Sequence, residues 1–449
     1  MQRVLRRPET PLALTFATMI AVGTVVLSLP AARGAKGPID FIDALFTATS
    51  AVCVTGLITV DTATAYSRFG QGTILVLIQF GGLGIMTFAV LAAELLRLRV
   101  SFSSQAAMRD MFVRQEARVS LRTALGRVLI LTVLIETAGA LILFTDLRAE
   151  EGMGATRWFE AVFLSVSAFC NAGFAVYTEN LIDLRDSPII VWTVMALVVL
   201  GGLGYPVLQE VTSRVWRRLR RQSCPVHWTL HTRIVLRVTA ALTLGGALAL
   251  WIIGLNDPEL SFGGNIVNSL FQSVTARTAG FNTVDVSLLP LPALMILVPL
   301  MFVGGSPGSC AGGIKTTSAT VWGARIQARL RGQSTVHLWG RRIPDELVRR
   351  AGLVCSVAVL WNAVGVMLLA ISEGADVGVG LEHIVFEQMS AFGTVGLSAG
   401  LTPKLTVLGK LWIIATMFVG RVGPLTVAFA VMRQPRRLFD YPVEHVMIG

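Results

Sequence analysis

Residues 47–57 read TATSAVCVTGL, and this pattern returns three more times along the chain. The other copies are FLSVSAFCNAGF (163–174), FQSVTARTAGF (271–281) and FEQMSAFGTVGL (386–397). Each copy has a short segment with serine or threonine, then a tract of small residues with one glycine in a fixed place. These glycines are Gly56, Gly173, Gly280 and Gly396, with separations of 117, 107 and 116 residues. A repeat of about 110 residues therefore organises the chain.

The composition is that of a membrane protein with several spans. Of the 449 residues, 53% are hydrophobic and 14% are charged, whereas average soluble chains have about 45–50% apolar and 25% charged residues. The mean hydropathy is +0.67. These values exclude a soluble cytosolic enzyme, a disordered protein and a secreted disulfide scaffold. A polytopic membrane protein is the class that remains.

The sequence has no pattern typical of a metal site, an enzyme or a nucleic-acid-binding protein. Five scattered cysteines include no CxxC pair, so neither a disulfide framework nor a zinc ribbon is indicated. His227 and His231 are four residues apart but have no third ligand, and there is no Ser-His-Asp set or Gly-x-Ser-x-Gly elbow. The net charge of +11 comes from basic residues between apolar runs, which is typical of cytoplasmic loops.

The apolar segments predict eight membrane spans, since a helix needs about 20 apolar residues to cross a bilayer. The segments are 11–30, 72–93, 126–145, 188–208, 234–254, 289–303 with 314–323, 351–371 and 407–432. Between alternate spans lie four half-apolar stretches that are too short to cross, 39–50, 157–169, 263–276 and 380–392. We therefore expect an all-α polytopic membrane protein with four helix–pore loop–helix repeats, containing eight spans and four re-entrant half-helices, around one central pore.

The repeats and the orientation follow from these segments. The repeats cover 11–93, 126–210, 230–323 and 347–432, and a cytoplasmic tail covers 433–449. The terminal segments 1–10 and 431–449, together with the loops at 94–128, 211–238 and 313–350, hold 28 of the 38 basic residues. By the positive-inside rule both termini face the cytoplasm. We expect a multi-pass protein of the plasma membrane, in a bacterium the inner membrane.

The four glycine-bearing loops predict a pore. Backbone that is not helical cannot face lipid, because each unpaired amide or carbonyl costs several kcal/mol, but it is tolerated along a water-filled pathway. Four such loops around one axis would surround a hole with carbonyl oxygens, which is how potassium-selective pores replace hydration water. Glycines that only pack helices together are the alternative. Four glycines in matched positions favour the pore.

The motifs VTGL, NAGF, TARTAGF and TVGL, with GGSPGSCAGGIKTT (304–317), resemble the Trk/Ktr/HKT superfamily of potassium transporters over the whole chain. The length, without an extra N-terminal helix pair, is most similar to the membrane subunits of bacterial Ktr systems. The resemblance implies potassium uptake, with K⁺ as the transported ion and no covalently bound cofactor. It assigns K⁺ coordination to the carbonyls of Val54, Thr55, Gly56, Asn171, Ala172, Gly173, Thr278, Ala279, Gly280, Thr394, Val395 and Gly396, within filter segments 53–57, 170–174, 277–281 and 393–397.

The choice of ion and the mode of transport leave alternatives open. In HKT relatives a serine at the first filter glycine goes with sodium preference, so Gly56 favours potassium. The four filter tracts differ in sequence, which predicts looser selectivity against Na⁺, and Na⁺ dependence, Na⁺ permeation or Na⁺/K⁺ cotransport stays possible. An alternating-access cation transporter is a further alternative, but such folds often use inverted repeats. Here each repeat has two spans, which makes the repeats parallel.

A glycine-rich break in the third repeat predicts a gate. Residues 304–315 contain five glycines, two serines and a proline within an apolar helix, and this composition breaks a helix. In the family this position is an intramembrane loop below the filter. A nucleotide P-loop is the alternative, but Ile314 separates Gly313 from Lys315 and no strand precedes it. The gate residues are Gly304, Gly305, Ser306, Gly308, Ser309, Gly312, Gly313, Lys315 and Arg421.

Charged residues inside the apolar segments need partners. An arginine at the bilayer centre costs about 2.5–3.5 kcal/mol on insertion scales, so we expect Arg421 to face the pore and hydrogen-bond to carbonyls of the loop. Arg277 is expected to neutralise a carboxylate behind the filter. Glu136 needs a partner that the sequence does not identify. The same holds for the carboxylates of the short segments, Asp43, Glu160 and Glu387.

The cytoplasmic segments are short and contain no nucleotide-binding domain. The resemblance implies a homodimer and a separate cytosolic ring of RCK subunits, which are Rossmann-type and bind nucleotides. The basic loops 94–128, 211–238 and 325–350 would be its docking surface. Retention of these loops by the topology rule and by anionic membrane lipids is the simpler explanation of their charge.

Overall fold

The computed structural model describes residues 9–35, 37–83, 121–147, 154–222, 228–253, 261–374 and 380–423. The expected tail 433–449, the basic loop around 94–120 and the ends of the first and fourth repeats lie outside these residues. In the first repeat the helices are α1 Glu9–Ser28, α2 Phe41–Val52, α3 Thr62–Ala65 and α4 Arg68–Gly82; in the second they are α5 Leu121–Asp146, α6 Gly154–Cys170, α7 Pro188–Leu203 and α8 Tyr205–Leu219.

The third and fourth repeats follow the same order. The helices are α9 Leu230–Ile252, α10 Phe262–Thr275, α11 Leu291–Phe302, α12 Thr316–Leu330, α13 Asp345–Glu373, α14 Leu381–Gly393 and α15 Val407–Val422. Short 3₁₀ turns lie at Pro30–Ala32, Ile182–Leu184, Val286–Leu288 and Thr402–Lys404. Between α12 and α13 a two-stranded antiparallel hairpin pairs β1 His337–Leu338 with β2 Arg341–Arg342.

The second helix of three repeats begins at a hydroxyl cap. The side chains of Ser67, Ser187 and Thr406 accept hydrogen bonds from the amides of Gly70, Ile190 and Gly409, at 3.2 Å each. Such a cap satisfies one of the free amides at a helix start. The polar residue after each loop therefore sets where the chain turns back into a helix.

The second helix is interrupted in the second and third repeats, and in the fourth repeat it ends at a glycine within the expected span 407–432. The α7–α8 pair bends by 106° at Gly204, which has φ of +79°, and α15 ends at Gly423, with φ of +96°. In the third repeat α11 stops at Phe302, and residues 303–315 form a non-helical loop before α12. A left-handed glycine cannot continue a helix. The glycines therefore divide spans that the hydropathy pattern presents as continuous.

Fewer helices than expected are long enough to cross a membrane unaided. Among the described residues three qualify by length and composition, Gly126–Asp146, Leu230–Ile252 and Asp345–Glu373, and the bent pair Pro188–Leu203 with Tyr205–Leu219 would make a fourth. Ala13–Ser28 and Leu291–Phe302 are apolar but shorter. One of the eight expected spans, 289–303 with 314–323, was already expected to be broken, and the bent pair in the second repeat adds another broken span.

The packing of the helices is cyclic. The second helix of each repeat packs on the short helix of the next one: α4 on α6, α7 on α10, α11 on α14, and α15 on α2. Polar residues lie in the centre, where Thr49, Ser50 and Thr55 have no exposed surface. Outward-facing apolar residues such as Ile130 and Leu134 of α5 are more than 60% exposed. This inside-out distribution suits a protein surrounded by lipid.

Candidate functional site

The four glycine-bearing turns share one unusual backbone conformation. Each turn has a left-handed residue followed, two positions later, by a left-handed glycine. The first residues are Val54, Asn171, Thr278 and Thr394, with φ between 48° and 75°, and the glycines are Gly56, Gly173, Gly280 and Gly396, with φ between 69° and 95°. Such angles are uncommon for residues other than glycine, and bulky or β-branched residues adopt them rarely. The turns are therefore four copies of one strained geometry.

The four turns meet in a closed ring. A Cβ atom added to Gly56 would come within 3.0 Å of the Ala172 carbonyl oxygen in the next repeat. The same holds for Gly173 against Ala279, Gly280 against Val395, and Gly396 against Thr55. The contacts thus run from repeat one to two, three, four and back to one. Only glycine fits these positions, and the carbonyl before each glycine lies against the neighbouring turn.

A buried hydroxyl in each short helix holds the turn in shape. Ser50 and Ser390 accept hydrogen bonds from the amides of Gly56 and Gly396, at 3.0 and 3.1 Å. In the other two repeats the hydroxyls donate, Ser167 to the Phe174 carbonyl at 2.7 Å and Thr275 to the Phe281 carbonyl at 2.6 Å. The sequence showed these hydroxyl residues in every copy, but not this bracing role.

The third turn is one residue shorter than the others. Five positions separate Thr275 from Gly280, whereas six separate the matching serine and glycine in the other three copies. The backbone adapts by a hydrogen bond from the Ala279 amide to the Thr275 carbonyl, at 2.9 Å. The ring is consequently only approximately fourfold, and its departure from symmetry lies beside Arg277.

Carboxylates at the short helices join elements around the ring. Asp43 of α2 forms an ion pair with Lys410 of α15, at 2.6 Å, and so links the first and fourth repeats. Glu160 of α6 lies 3.6 Å from Arg68 of α4, which links the first and second. The sequence left these carboxylates without partners. In the structure both carboxylates form ion pairs that join neighbouring repeats.

Glu387 of α14 is fully buried and organises the chain after the fourth turn. Its carboxylate accepts hydrogen bonds from the Ser398 hydroxyl, the Leu401 and Thr402 amides at 3.3 Å, and the Thr402 hydroxyl at 2.7 Å. A buried carboxylate is tolerated where donors surround it in this way. Glu387 therefore fixes residues 398–402.

The glycine-rich loop lies directly beneath the ring. Its ends are brought together by hydrogen bonds from the Gly304 amide to the Ile314 carbonyl, at 2.9 Å, and from the Ile314 amide to the Phe302 carbonyl, at 3.3 Å. A Cβ on Gly312 would overlap the side chain of Thr394, a residue of the ring. The loop thus lies across the base of the ring.

The loop is also fastened to the bend of the second repeat. The Ser306 amide donates to the Gly202 carbonyl at 3.1 Å, and the Cys310 amide donates to the Gly201 carbonyl at 3.3 Å. In return the Tyr205 amide donates to the Gly308 carbonyl at 3.1 Å. These bonds satisfy backbone groups that the break in the helix leaves free.

Arg421 of α15 reaches the loop from the fourth repeat. Its guanidinium donates one hydrogen bond to the Cys310 carbonyl of the loop and another to the Gly81 carbonyl at the end of α4. The side chain is 6% exposed. Lys315 donates to the Ala311 carbonyl within the loop. The expected contact between Arg421 and the loop is thus present at one carbonyl, that of Cys310, while its role as a gate stays a prediction.

Two other buried charges have partners that the sequence did not identify. Arg277 donates to the Gly304 carbonyl at 3.3 Å and to the Thr239 carbonyl at 3.4 Å, so the carboxylate partner that we expected is not among its described hydrogen bonds. Beside it lies a cavity of about 20 Å³, which has room for one water. Glu136 accepts a hydrogen bond from Gln79, at 3.1 Å.

Comparison with known proteins identifies the family of this chain. The family model described as "TrkH: Cation transport protein" matches residues 6–441. The chain belongs to this family. The resemblance drawn from the motifs is thereby confirmed. The chain is a transport protein and not an enzyme.

Relatives of similar length match over nearly the whole chain. The potassium/sodium uptake protein NtpJ of Enterococcus hirae is 36% identical, and the match covers 100% of this chain and 99% of that protein. The Ktr system potassium uptake protein B of Vibrio alginolyticus is 35% identical, with 97% and 94% covered. The corresponding protein of Bacillus subtilis is 36% identical, with 98% and 97% covered.

A solved structure has the same fold. The crystal structure of the potassium transporter TrkH from Vibrio parahaemolyticus superposes with a TM-score of 0.74 at 18% identity, covering 95% of this chain and 85% of that one. Together with the family match, this confirms the expected class, an all-α polytopic membrane protein. At this identity the likeness speaks for the fold alone.

Proposed function

We propose that the protein carries K⁺ into the cell as the ion-translocating subunit of a Ktr/Trk-type uptake system, most similar to KtrB. The closed ring of four glycine turns is the observation that carries the proposal. Its carbonyls come from four different repeats, and each lies against the glycine of a neighbouring turn. K⁺ would exchange its hydration shell for these oxygens, as in other carbonyl-lined filters. The coordinating residues are the four triplets beginning at Val54, Asn171, Thr278 and Thr394.

The electrostatics of the short helices suit a cation. Each of α2, α6, α10 and α14 ends directly before its turn, so the negative end of its dipole points towards the ring. A helix C-terminus carries the equivalent of roughly half a negative charge. Four such ends stabilise a partly dehydrated cation without a charged side chain in the ring itself, which keeps the ion mobile.

The loop and Arg421 form the gate in this proposal. The loop lies across the base of the ring, and a guanidinium held against its Cys310 carbonyl adds positive charge on the ion's path. For an ion to pass, the loop must move and this bond must break. Lys315 adds a second charge at the inner mouth. Opening is then a local rearrangement rather than a movement of whole repeats.

The expected partners and orientation belong to the same proposal. The relatives' designation as Ktr systems supports a system with more than one component. A homodimer in the plasma membrane, with both termini in the cytoplasm and an RCK ring docked below, accounts for the exposed basic surface of α12 and the hairpin. That surface includes Arg329, Arg331, Arg341 and Arg342.

Sodium transport is the second candidate, because the Enterococcus relative is named for both ions. Gly56 favours potassium, since a side chain there would crowd the ring carbonyl of Ala172. Competition between the two ions in a flux assay separates the candidates. If the rate of Na⁺ influx equals the rate of K⁺ influx, the sodium proposal replaces the potassium proposal.

The decisive experiment is rescue of a bacterium that lacks its own potassium uptake systems, grown at limiting external K⁺. The chain is expressed alone and together with an RCK subunit. Growth establishes a potassium path, and dependence on the second subunit establishes a regulated two-component system. Failure of both strains, with the protein demonstrated in the membrane by blotting, would overturn the proposal.

A further inference from the structure

Two cysteines from different repeats meet beneath the ring. Cys170 is the last residue of α6 and directly precedes the ring residue Asn171, and Cys310 lies in the glycine-rich loop. The Cys310 thiol donates to the Gly82 carbonyl, at 2.8 Å. A Cβ on Gly82 would come within 3.0 Å of the Cys170 sulfur. The two sulfur atoms therefore both lie against Gly82.

We propose that Cys170 and Cys310 form a reversible disulfide that ties the glycine-rich loop to the end of α6 and holds the pathway closed. The effect on flux rests on the proposed function, whereas the disulfide itself does not. The loop already bonds to the second repeat through Gly201 and Gly202. A covalent link would add a connection that thermal motion cannot break.

The surroundings give the two thiols different parts. Cys310 is partly exposed, while Cys170 is 1% exposed, so an oxidant reaches Cys310 first. Arg421 binds the Cys310 carbonyl and Lys315 lies in the same loop. Reactive cysteines are found beside such cationic groups. Cys310 is therefore the attacking thiol and Cys170 the resolving one.

The oxidant is a peroxide. The sulfur of Cys310 attacks one oxygen of hydrogen peroxide, the O–O bond breaks, and a sulfenic acid and water form. The sulfur of Cys170 then attacks the sulfenic sulfur, the S–S bond forms, the S–O bond breaks, and a second water leaves. Two thiols lose two electrons to one peroxide. A dithiol reductant reverses the reaction by exchange.

A disulfide of this kind fits the cell only as a transient device. Cytosolic thiols are kept reduced, and the disulfides found there in mesophiles are mostly catalytic or redox-sensing. The four described cysteines are free thiols in the structure. The reduced form is thus the resting state, and the link forms during oxidative stress.

The test uses the purified full-length chain in liposomes, with ⁸⁶Rb⁺ influx as the readout, before and after treatment with hydrogen peroxide. A parallel sample is digested without reduction, and mass spectrometry searches for a peptide that joins Cys170 to Cys310. We expect this peptide and an influx reduced at least tenfold, with recovery in dithiothreitol. Cys170→Ser and Cys310→Ser should each abolish the response relative to their own reduced influx, whereas Cys355→Ser should keep it.

The outcomes separate the two proposals. Absence of the joined peptide overturns the disulfide. A joined peptide with unchanged influx overturns closure by the link. Absence of influx in the reduced protein, with the joined peptide still formed on oxidation, counts against the proposed transport function and leaves the thiol pair in place.

Discussion

Replacing Arg421 by alanine removes the side-chain hydrogen bond that connects α15 to the glycine-rich loop. Of its two hydrogen bonds, the one to Cys310 binds the loop and the one to Gly81 binds α4. Only the first changes when the loop moves. A hydrogen bond to a charged group contributes about 1.5–3 kcal/mol, which corresponds to a shift of about 10- to 150-fold in the balance between the closed and open loop.

The assay is ⁸⁶Rb⁺ influx into liposomes that contain equal amounts of folded protein, checked by size-exclusion chromatography. Influx through Arg421→Ala should exceed that of the parent by at least tenfold. Arg421→Lys should fall between them, since an ammonium group keeps the charge but does not present the planar fork that reaches two carbonyls.

Lys404→Ala is the matched control, because it removes an exposed positive charge far along the chain from the loop. Its influx should equal that of the parent. The reasoning is refuted if folded Arg421→Ala protein carries Rb⁺ no faster than the parent. An equal rise in influx through Lys404→Ala would also contradict it, because the effect would then not be specific to Arg421.

Three further predictions concern packing and selectivity. Gly56→Ser should lower the preference for K⁺ over Na⁺ in competition influx, because its side chain meets the Ala172 carbonyl; unchanged selectivity would place the filter elsewhere. Gly246→Ala places a methyl group against side chains that already fill the space, and should lower the free energy of unfolding by about 1–3 kcal/mol. Its neighbour Gly245 faces open space, so Gly245→Ala should leave the free energy of unfolding unchanged or raise it by up to about 1 kcal/mol. Equal melting temperatures of the two variants in detergent would contradict this. Glu387→Ala leaves several buried donors without an acceptor, and each should lower the free energy of unfolding by about 1–3 kcal/mol. The variant should therefore melt well below the parent. A melting temperature within about one degree of the parent would show that the hydrogen bonds of Glu387 are not needed for stability.

Local patterns in the sequence carried much of the architecture. The short helices, their glycines and the broken helix of the third repeat could be predicted because hydropathy and glycine content act within about 20 residues. The position of Arg421 could be argued in the same way, since a buried guanidinium must find oxygen acceptors. The loop carbonyl that it binds is 111 residues away.

The remaining features depend on contacts between distant parts of the chain. Asp43 pairs with Lys410 across 367 residues, and Glu136 meets Gln79 across 57. No periodicity encodes such pairs. Arg277 was expected to need a carboxylate, but it donates hydrogen bonds to the carbonyl oxygens of Thr239 and Gly304. The bend at Gly204 was not predicted, because a glycine hinge leaves the hydropathy pattern unchanged.

The cyclic order of the glycine contacts bears on how the protein can move. The turn of the fourth repeat contacts that of the first, so the ring is closed. Two neighbouring repeats cannot separate without also disturbing their contacts with the other two. A molecule built from two halves can rock about the seam between them, whereas a closed belt has no such seam. In the proposed mechanism, access to the pathway is therefore controlled by a segment that moves inside the belt while the belt stays whole. The loop at residues 303–315 has that freedom, since hydrogen bonds rather than a packed helix hold it in place.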